Sequence, residues 1–305
     1  MKSRVKRLLR SLYERAFRES DNAALLRAVY RGCLGREPDQ SGFAGYMNAL
    51  RSGSTTWEGV LESVLTSEEF ILQFESRGLS ARSMHSLHRA RMKIYQEYLP
   101  AAEHVLDLGG AASNQPEGAL FALGYPHAPK ELIIVDLPPT ERFLGKDSAE
   151  TRRTLQAARG TAVRYVYASM GDLQSIGDAS IDLVVSGESI EHVAEEEADR
   201  VCREAFRVLK AGGHFCLDTP NARVTRIQSP DNLIHPEHKK EYYVSELKDK
   251  LARSGFQIAA VKGVCPMPAT VASRLFDFGE MARNALLSDD PENCYLFYIH
   301  AIKPV

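Results

Sequence analysis

The sequence has no apolar run long enough to cross a bilayer. A membrane-spanning helix needs about 20 consecutive apolar residues, and no stretch of this length is free of polar residues. The N-terminus also lacks the apolar centre and small-residue cleavage site of a secretory signal peptide. These absences argue against an integral membrane protein and predict a protein that stays in the cytoplasm.

Cysteine is scarce, and its spacing matches neither a metal-binding motif nor a disulfide framework. Closely spaced pairs such as C-x-x-C would be needed for a thiolate zinc site. We therefore expect reduced thiols that pack as small apolar residues. The five cysteines are Cys33, Cys202, Cys216, Cys265 and Cys294.

Net charge is also small, at -2, but it is unevenly distributed. Residues 1–31 contain nine Lys or Arg against three acidic residues, so this end is strongly basic and the remainder acidic. Nucleic acids are bound by clustered positive charge. The acidic remainder therefore argues against a nucleic-acid substrate.

Residues 1–20 predict a basic amphipathic helix, with apolar side chains from Val5 to Phe17 at helical spacing and arginines on the other face. Two interpretations stay open. The helix packs its apolar stripe against the rest of the protein, or it lies on anionic lipid at the inner face of the membrane.

Residues 21–78 predict a small all-α module of short helices punctuated by Pro38, Gly42, Gly53 and Gly78, and residues 79–100 predict a connecting helix. The words LGREPDQSGF (34–43) and LTSEEF (65–70) resemble a bacterial domain of unknown function. That domain recurs in surface-layer, glycan-related and glycosyltransferase-linked proteins. The resemblance implies a glycan-assembly context, with glycan-assembly proteins as partners.

From residue 101 to 305 the pattern changes to apolar runs that alternate with helical stretches. Such alternation predicts a parallel sheet with crossover helices, an α/β fold. The seven predicted strands are residues 104–109, 131–136, 162–167, 181–186, 214–219, 256–261 and 294–302.

A ligand-binding turn is predicted where the first strand ends. VLDLGGAAS (105–113) places Asp107 inside the strand and a glycine turn directly after it, and glycine lets the backbone approach a ligand closely. The second strand ends in Asp136, where a carboxylate can accept both hydroxyl hydrogens of a ribose.

These words and those that follow resemble the Rossmann-like S-adenosylmethionine-dependent methyltransferases. The resemblance implies a seven-stranded sheet with helices on both faces, methyl transfer as the activity and S-adenosylmethionine as the cofactor. It is carried by GDLQSIGDASIDLVVS (171–186), SIEHV (189–193), RVLKAGG (207–213), LDTPN (217–221) and HPEHKKEYYVSEL (235–247).

The resemblance also implies cofactor-binding residues. Where the family's loop has glycine at alternate positions, this chain has Ala111 and Ser113 after Gly109. Asp107, Gly109 and Gly110 are assigned to the amino-acid end of the cofactor, Asp136 to its ribose, Met170 and Asp172 to its adenine, and Ser186 to a further cofactor contact.

Catalytic residues are predicted after the fourth strand, where Glu188, Glu191 and His192 would share one helical face. Three roles stay open: a metal-free base or substrate-binding group, a cap that supports the loop, or a divalent metal site completed by His235 or His238. The metal site is implied by the resemblance, since some members of the superfamily hold a divalent ion with similar residues. His235 and His238 are predicted to border the acceptor.

The sequence leaves the acceptor open among a glycan, a lipid-linked sugar and a small-molecule hydroxyl. Two other functions compete with methyl transfer. One is an inactive methyltransferase-like scaffold in a glycan-assembly complex, and the other is a nicotinamide-dependent oxidoreductase, whose G-x-G-x-x-G pattern is absent at Gly109, Ala111 and Asn114.

Overall fold

The computed structural model describes residues 19–112, 115–141, 154–156 and 160–305. The chain divides into two compact units, Met1–Ser80 and Ala81–Val305. The predicted basic helix at residues 1–20 lies almost wholly outside the described residues, as does Ser113 of the predicted ligand-binding turn.

The described residues of the first unit form helices, and short polar side chains start two of them. Asp39 accepts a hydrogen bond from the Gly42 amide at 2.8 Å, and Ser67 accepts one from the Phe70 amide at 3.2 Å, so each satisfies an N–H that the helix leaves unpaired. Helices begin and end at α1 Glu19–Leu34, α2 Gln40–Ser52, α3 Trp57–Leu65 and α4 Glu68–Glu97.

Helix α4 corrects one prediction. Gly78 was expected to separate the module from a connecting helix, but it lies inside this 30-residue helix. Glycine costs a helix interior only about 1 kcal/mol relative to alanine, which the helix-favouring residues on both sides can offset. The compact units divide two residues later, at Ser80.

The second unit is built on one mixed sheet in which β4, β2, β1, β5 and β6 run parallel. In spatial order the strands are β3-β4-β2-β1-β5-β6-β9-β7-β8. They comprise β1 His104–Leu108, β2 Glu131–Asp136, β3 Thr154–Gln156, β4 Ala162–Tyr167, β5 Ile181–Gly187, β6 Leu209–Pro220, β7 Gln257–Pro266, β8 Leu287–Ser288 and β9 Cys294–Ile302.

The prediction of seven strands is therefore corrected to nine in the described residues. The two unpredicted strands, β3 and β8, have three and two residues and pair antiparallel at opposite edges of the sheet. Segments this short cannot be recognised from the sequence, because the alternation of apolar and polar residues in a strand is detectable only over about four residues or more. The seven longer strands lie where the sequence predicts them.

Alternate residues of each strand serve opposite faces of the sheet, as the two-residue period requires. In β1, Leu106 packs on the face covered by helices α6 (Glu195–Val208) and α8 (Val244–Arg253), whereas Val105 packs on the opposite face with residues of α4 and α5 (Ala119–Ala122). Both faces are thus buried. This explains why the strands read as nearly continuous apolar runs.

Strand order reverses beside β1, because β2 lies on one side of it and β5 on the other. Helix α5 follows β1 and helix α6 follows β5, and these two helices pack on opposite faces of the sheet, which opens a crevice between the strands. The remaining described helices are α7 Ala222–Gln228, α9 Pro268–Ser273 and α10 Phe278–Arg283. Within the described residues, no helix combines the length and the apolar character that crossing a membrane would need.

Candidate active site

A cavity of about 500 Å³ opens at the crevice, at the carboxyl ends of the parallel strands. Every loop that follows β1, β2, β4 and β5 contributes to its wall. A larger cavity of about 630 Å³ lies at the opposite edge of the sheet, beside Glu103 and Lys210, and contains no predicted site residue. Of these two cavities, the smaller one is therefore the one that predicted site residues line. Its lining residues from these loops are Gly109, Asp136, Leu137, Glu141, Ala168, Ser169, Met170, Glu188, Ser189, His192, Val193 and Glu197.

Glycine is required in the turn after β1 because two loops meet there. Gly109 has φ +73°, and a Cβ on it would lie 2.6 Å from Cβ of Ser189. Ser189 donates a hydrogen bond to the Leu108 carbonyl at 2.9 Å and is paired with Ser186 at 2.6 Å. Ser186 is fully buried, so it supports the cavity from beneath and does not line it.

Asp107 is buried directly below this turn, with only 3% of its surface exposed. Its Oδ2 has no hydrogen-bond partner among the described residues, and a Cβ on Gly110 would collide with that oxygen at 2.0 Å. Burial raises the pKa of this carboxyl to about 7, and the charge of Asp136 adds to the effect. An unpaired buried acceptor of this kind fits a ligand that brings a positive amino group.

Asp136 lines the cavity at the end of β2, as predicted for the ribose-binding carboxylate. Oδ2 of Asp136 accepts a hydrogen bond from the Ala111 amide at 3.0 Å, and Oδ1 accepts one from the Leu137 amide at 2.7 Å. These bonds hold the carboxylate in one orientation. A carboxylate can accept about four hydrogen bonds in all.

The two residues predicted at the adenine are placed differently. Met170 lines the cavity, but Asp172 is exposed and does not. Ser169 lines it instead, hydrogen-bonded to Glu197 of α6. The sequence offered no signal for Glu197, because a run of three glutamates at a helix start is also what a solvated N-terminus shows.

The predicted helical face of Glu188, Glu191 and His192 does not form. Ile190–His192 is a 3₁₀ helix, in which neighbouring side chains point about 120° apart. His192 reaches the cavity wall, whereas Glu191 is fully buried and accepts a hydrogen bond from Thr219 at 2.9 Å. Burial, together with the nearby Glu188, raises the pKa of Glu191 well above its usual range.

Glu188 lines the cavity, as predicted, and it forms an ion pair with Arg91, a residue that the sequence did not single out. Arg91 of α4 is almost buried and pairs with Glu188 and with Asp218, whose Oδ2 lies 2.5 Å from Nε of Arg91. The Tyr95 hydroxyl donates a third bond to Asp218 at 3.0 Å. Arg91 was missed because it belongs to a stretch that reads only as a connecting helix.

His192, His235 and His238 lie together at the rim of the cavity. One ring nitrogen of each lies within 4.8 Å of the others. Glu188 and Glu191 of the predicted metal set are not in this group. Pro236 and Glu237 lie between the two loop histidines and line the cavity. His235 and His238, which were predicted to border the methyl acceptor, therefore lie at its edge.

Two family models match the chain. Residues 117–217 match a methyltransferase domain. Residues 11–74 match a domain of unknown function, DUF4214.

One curated protein is similar to part of the chain. A Mycolicibacterium smegmatis protein named "Probable S-adenosylmethionine-dependent methyltransferase" is 33% identical over 132 residues, which are 43% of this chain. The match spans about half, 49%, of that relative's length.

Among solved structures, the protein called "the putative methyltransferase" in a complex with the Haloferax volcanii Trm112 methyltransferase activator superposes with a TM-score of 0.51. It is 17% identical, and the match covers 74% of this chain and 98% of that one. An S-adenosylmethionine-dependent methyltransferase of Archaeoglobus fulgidus gives a TM-score of 0.48 at 19% identity, over 78% of this chain and 100% of that one. The Haloferax likeness shows the fold. The family match and the curated relative show similarity to S-adenosylmethionine-dependent methyltransferases over part of the chain.

Proposed function

We propose that this protein is an S-adenosylmethionine-dependent methyltransferase that methylates a hydroxyl of a glycan, a lipid-linked sugar or a small molecule. The observation that carries the proposal is the cavity at the strand-order reversal, bounded by Gly109, Asp136 and Met170 above the buried Asp107. The same residue types in the same order carry the resemblance to this enzyme class.

The residues present fit the cofactor. The unpaired Oδ2 of Asp107 suits a cationic amino group, and the carboxylate of Asp136 can accept hydrogen bonds from ribose hydroxyls. Met170 offers an apolar surface for a base. When bound, S-adenosylmethionine would supply a methyl group on a positively charged sulfur, and Glu188 and Glu197 border the cavity that would receive it.

His192 is the residue that promotes loss of the acceptor proton. A hydroxyl must lose its proton as it attacks the methyl group, and the imidazole of His192 lies in the wall of the same cavity. Burial and the neighbouring His238 lower the pKa of His192, so its ring is neutral near pH 7. A neutral imidazole can take a proton directly or act as a metal ligand.

The cavity lining favours a hydroxyl-rich acceptor. Carboxylates of Glu141, Glu188 and Glu237 and the amine of Lys239 border it, and these groups can bond to several hydroxyls at once. The glycan context rests on the resemblance of the helical module to a domain found in glycan-related proteins. Mass spectrometry of glycans and lipids from cells with and without the gene identifies the acceptor.

Calorimetry with S-adenosylmethionine, and with its demethylated product, tests cofactor binding. We expect one site per chain, and Asp136→Ala should weaken binding by about 1–3 kcal/mol because ribose hydrogen bonds are lost. Asp172→Ala is the matched control, since that carboxylate is exposed and outside the cavity lining.

Three other results would count against the proposal. Equal affinity of the Asp136→Ala variant and the wild type removes Asp136 from the cofactor site. Tighter binding of a nicotinamide dinucleotide supports the oxidoreductase. A folded protein that binds neither cofactor is the inactive scaffold.

A further inference from the structure

The histidine cluster, defined as His192, His235 and His238, is assembled by two segments that the backbone holds together. The amides of Lys239 and Lys240 donate hydrogen bonds to the Glu191 carbonyl at 2.7 and 3.2 Å. The loop that carries His235 and His238 is thereby fastened beside the 3₁₀ helix that carries His192. Ring centroids of His192 and His238 are 4.9 Å apart, and those of His235 and His238 are 5.3 Å apart.

Glu241 fixes the orientation of one ring of the cluster. Its Oε1 lies 2.9 Å from Nδ1 of His238, and its side chain is completely buried. Oε2 of Glu241 accepts a second hydrogen bond, from the Thr225 hydroxyl. A hydrogen bond from the Nδ1 proton of His238 to Oε1 satisfies both buried groups. This leaves Nε2 of His238 as an unprotonated lone pair, the arrangement that metal-binding histidines adopt.

Three imidazoles this close are poorly suited to act only as cations, because like charges repel at such distances. Neutral imidazole is the form that ligates a metal. In a tetrahedral site with nitrogen ligands at about 2.0–2.1 Å, ligand nitrogens lie roughly 3.3 Å apart. The nitrogens of the cluster lie within 4.8 Å of one another, so they would have to approach by at most about 1.5 Å to reach that spacing.

The carboxylates predicted as metal ligands lie outside the histidine cluster. Glu188 is paired with Arg91, and Oε2 of Glu191 accepts a hydrogen bond from Thr219 inside the protein. To ligate an ion, Glu188 would have to abandon the nearly buried guanidinium of Arg91. An unpaired buried charge of this kind costs several kcal/mol.

We propose that His192, His235 and His238 bind a divalent cation of the zinc class, with Glu241 orienting His238. Three histidines leave the fourth position of a tetrahedral ion open, as in catalytic zinc sites. His192 places that position at the cavity. An acceptor oxygen bound there loses its proton more readily, and this role of the ion rests on the proposed function, whereas its binding does not.

The test uses the full-length protein, freed of metal by dialysis against a chelator. Titration with zinc chloride is followed by calorimetry, and titration with cobalt chloride by visible absorption, which reports tetrahedral nitrogen ligation. We expect one tight site per chain for zinc and a matching cobalt spectrum. Binding of the demethylated cofactor product is measured on the same samples, with circular dichroism as the check on folding.

Four substitutions locate the site. His235→Gln should weaken zinc binding by at least about 100-fold, and Glu241→Gln by about 10–100-fold because only the orientation of a ligand is disturbed. Glu188→Gln should leave zinc affinity unchanged. His127→Gln is the matched control, since His127 packs against Tyr125 away from the cluster.

Each outcome decides a different point. Absence of stoichiometric zinc binding, or equal zinc affinity in the wild type and His235→Gln, overturns the metal site, and retained cofactor binding then leaves the proposed function standing. Zinc affinity that falls in Glu188→Gln but not in His235→Gln also overturns it, in favour of the carboxylate set. Zinc binding without cofactor binding supports the site and contradicts the proposed function.

Discussion

At Asp107 the ionisation of a single buried carboxyl is coupled to the stability of the fold. Its pKa is raised to about 7 because burial disfavours the charged form and only part of that effect is offset by a backbone hydrogen bond from Leu120. In the unfolded chain the group ionises near 4. The folded protein therefore holds this proton more tightly than the unfolded chain does.

The Asp107→Asn variant should reveal this coupling as a change in pH dependence. Since the folded pKa is raised, the Asp107 contribution lowers the free energy of unfolding as pH rises from about 4 to 7, and the loss levels off above 7 at roughly 4 kcal/mol. The variant lacks this contribution, so urea denaturation should show it gaining stability relative to wild type between pH 5 and pH 8. Asp172→Asn, at an exposed position, should follow wild type. Parallel pH profiles for Asp107→Asn and wild type would show that burial does not govern this carboxyl.

Single residues also explain why site prediction was uneven. Asp136 could be predicted because it ends a strand, and the end of a strand is visible in the chain itself. The direction in which the Glu191 side chain points could not be predicted, because it depends on whether the turn after β5 is an α-helix or a 3₁₀ helix. A change of about 20° per residue between those two helices decides which side chains face the cavity.

Among the elements, the junction of β6 and α7 joins the carboxyl end of β6 to the segment before β9. Asn221 is fully buried there and caps α7 by accepting a hydrogen bond from the Arg223 amide at 3.0 Å. Its Nδ2 lies within 3.1 Å of the carbonyl oxygens of Pro291, Glu292 and Cys294. The side chain therefore serves as donor and acceptor for two different elements.

Substituting Asn221 with Ala should lower the free energy of unfolding by about 2–4 kcal/mol. The helix loses its cap, and buried carbonyls lose a hydrogen-bond donor. Urea denaturation at pH 7 measures the change. Asn284→Ala is a milder comparison, since the Nδ2 of Asn284 donates to one carbonyl, that of Pro266, at 2.7 Å. A loss for Asn221→Ala below that of Asn284→Ala would show that the junction is held by packing alone.

For the molecule as a whole, the notable electrostatic feature is the uneven distribution of charge along the sequence. Residues 1–31 are basic and the remainder is acidic, so the N-terminal segment is the part that an anionic surface would attract. We propose that residues 1–20 hold the enzyme at anionic membrane, near lipid-linked acceptors and glycan-assembly proteins.

Sedimentation with vesicles tests this placement. The full-length protein should sediment with vesicles rich in phosphatidylglycerol, and a variant without residues 1–20 should not. Raising the salt concentration should weaken binding, because screening shortens the reach of the basic side chains. Neutral phosphatidylcholine vesicles are the control. If the full-length protein stays in the supernatant with anionic vesicles at low salt, the helix instead packs against the protein.

What the sequence determined by itself is the order of the long strands and the places where they end. Period-two patterns, apolar runs and glycine turns act over a few neighbouring residues, so they can be read along the chain. Tertiary structure alone decided that Arg91 of α4 holds Glu188 and Asp218, and that His192 joins His235 and His238 instead of Glu188 and Glu191. Those side chains meet because packing brings distant segments together, and that geometry leaves no mark in the spacing of the residues.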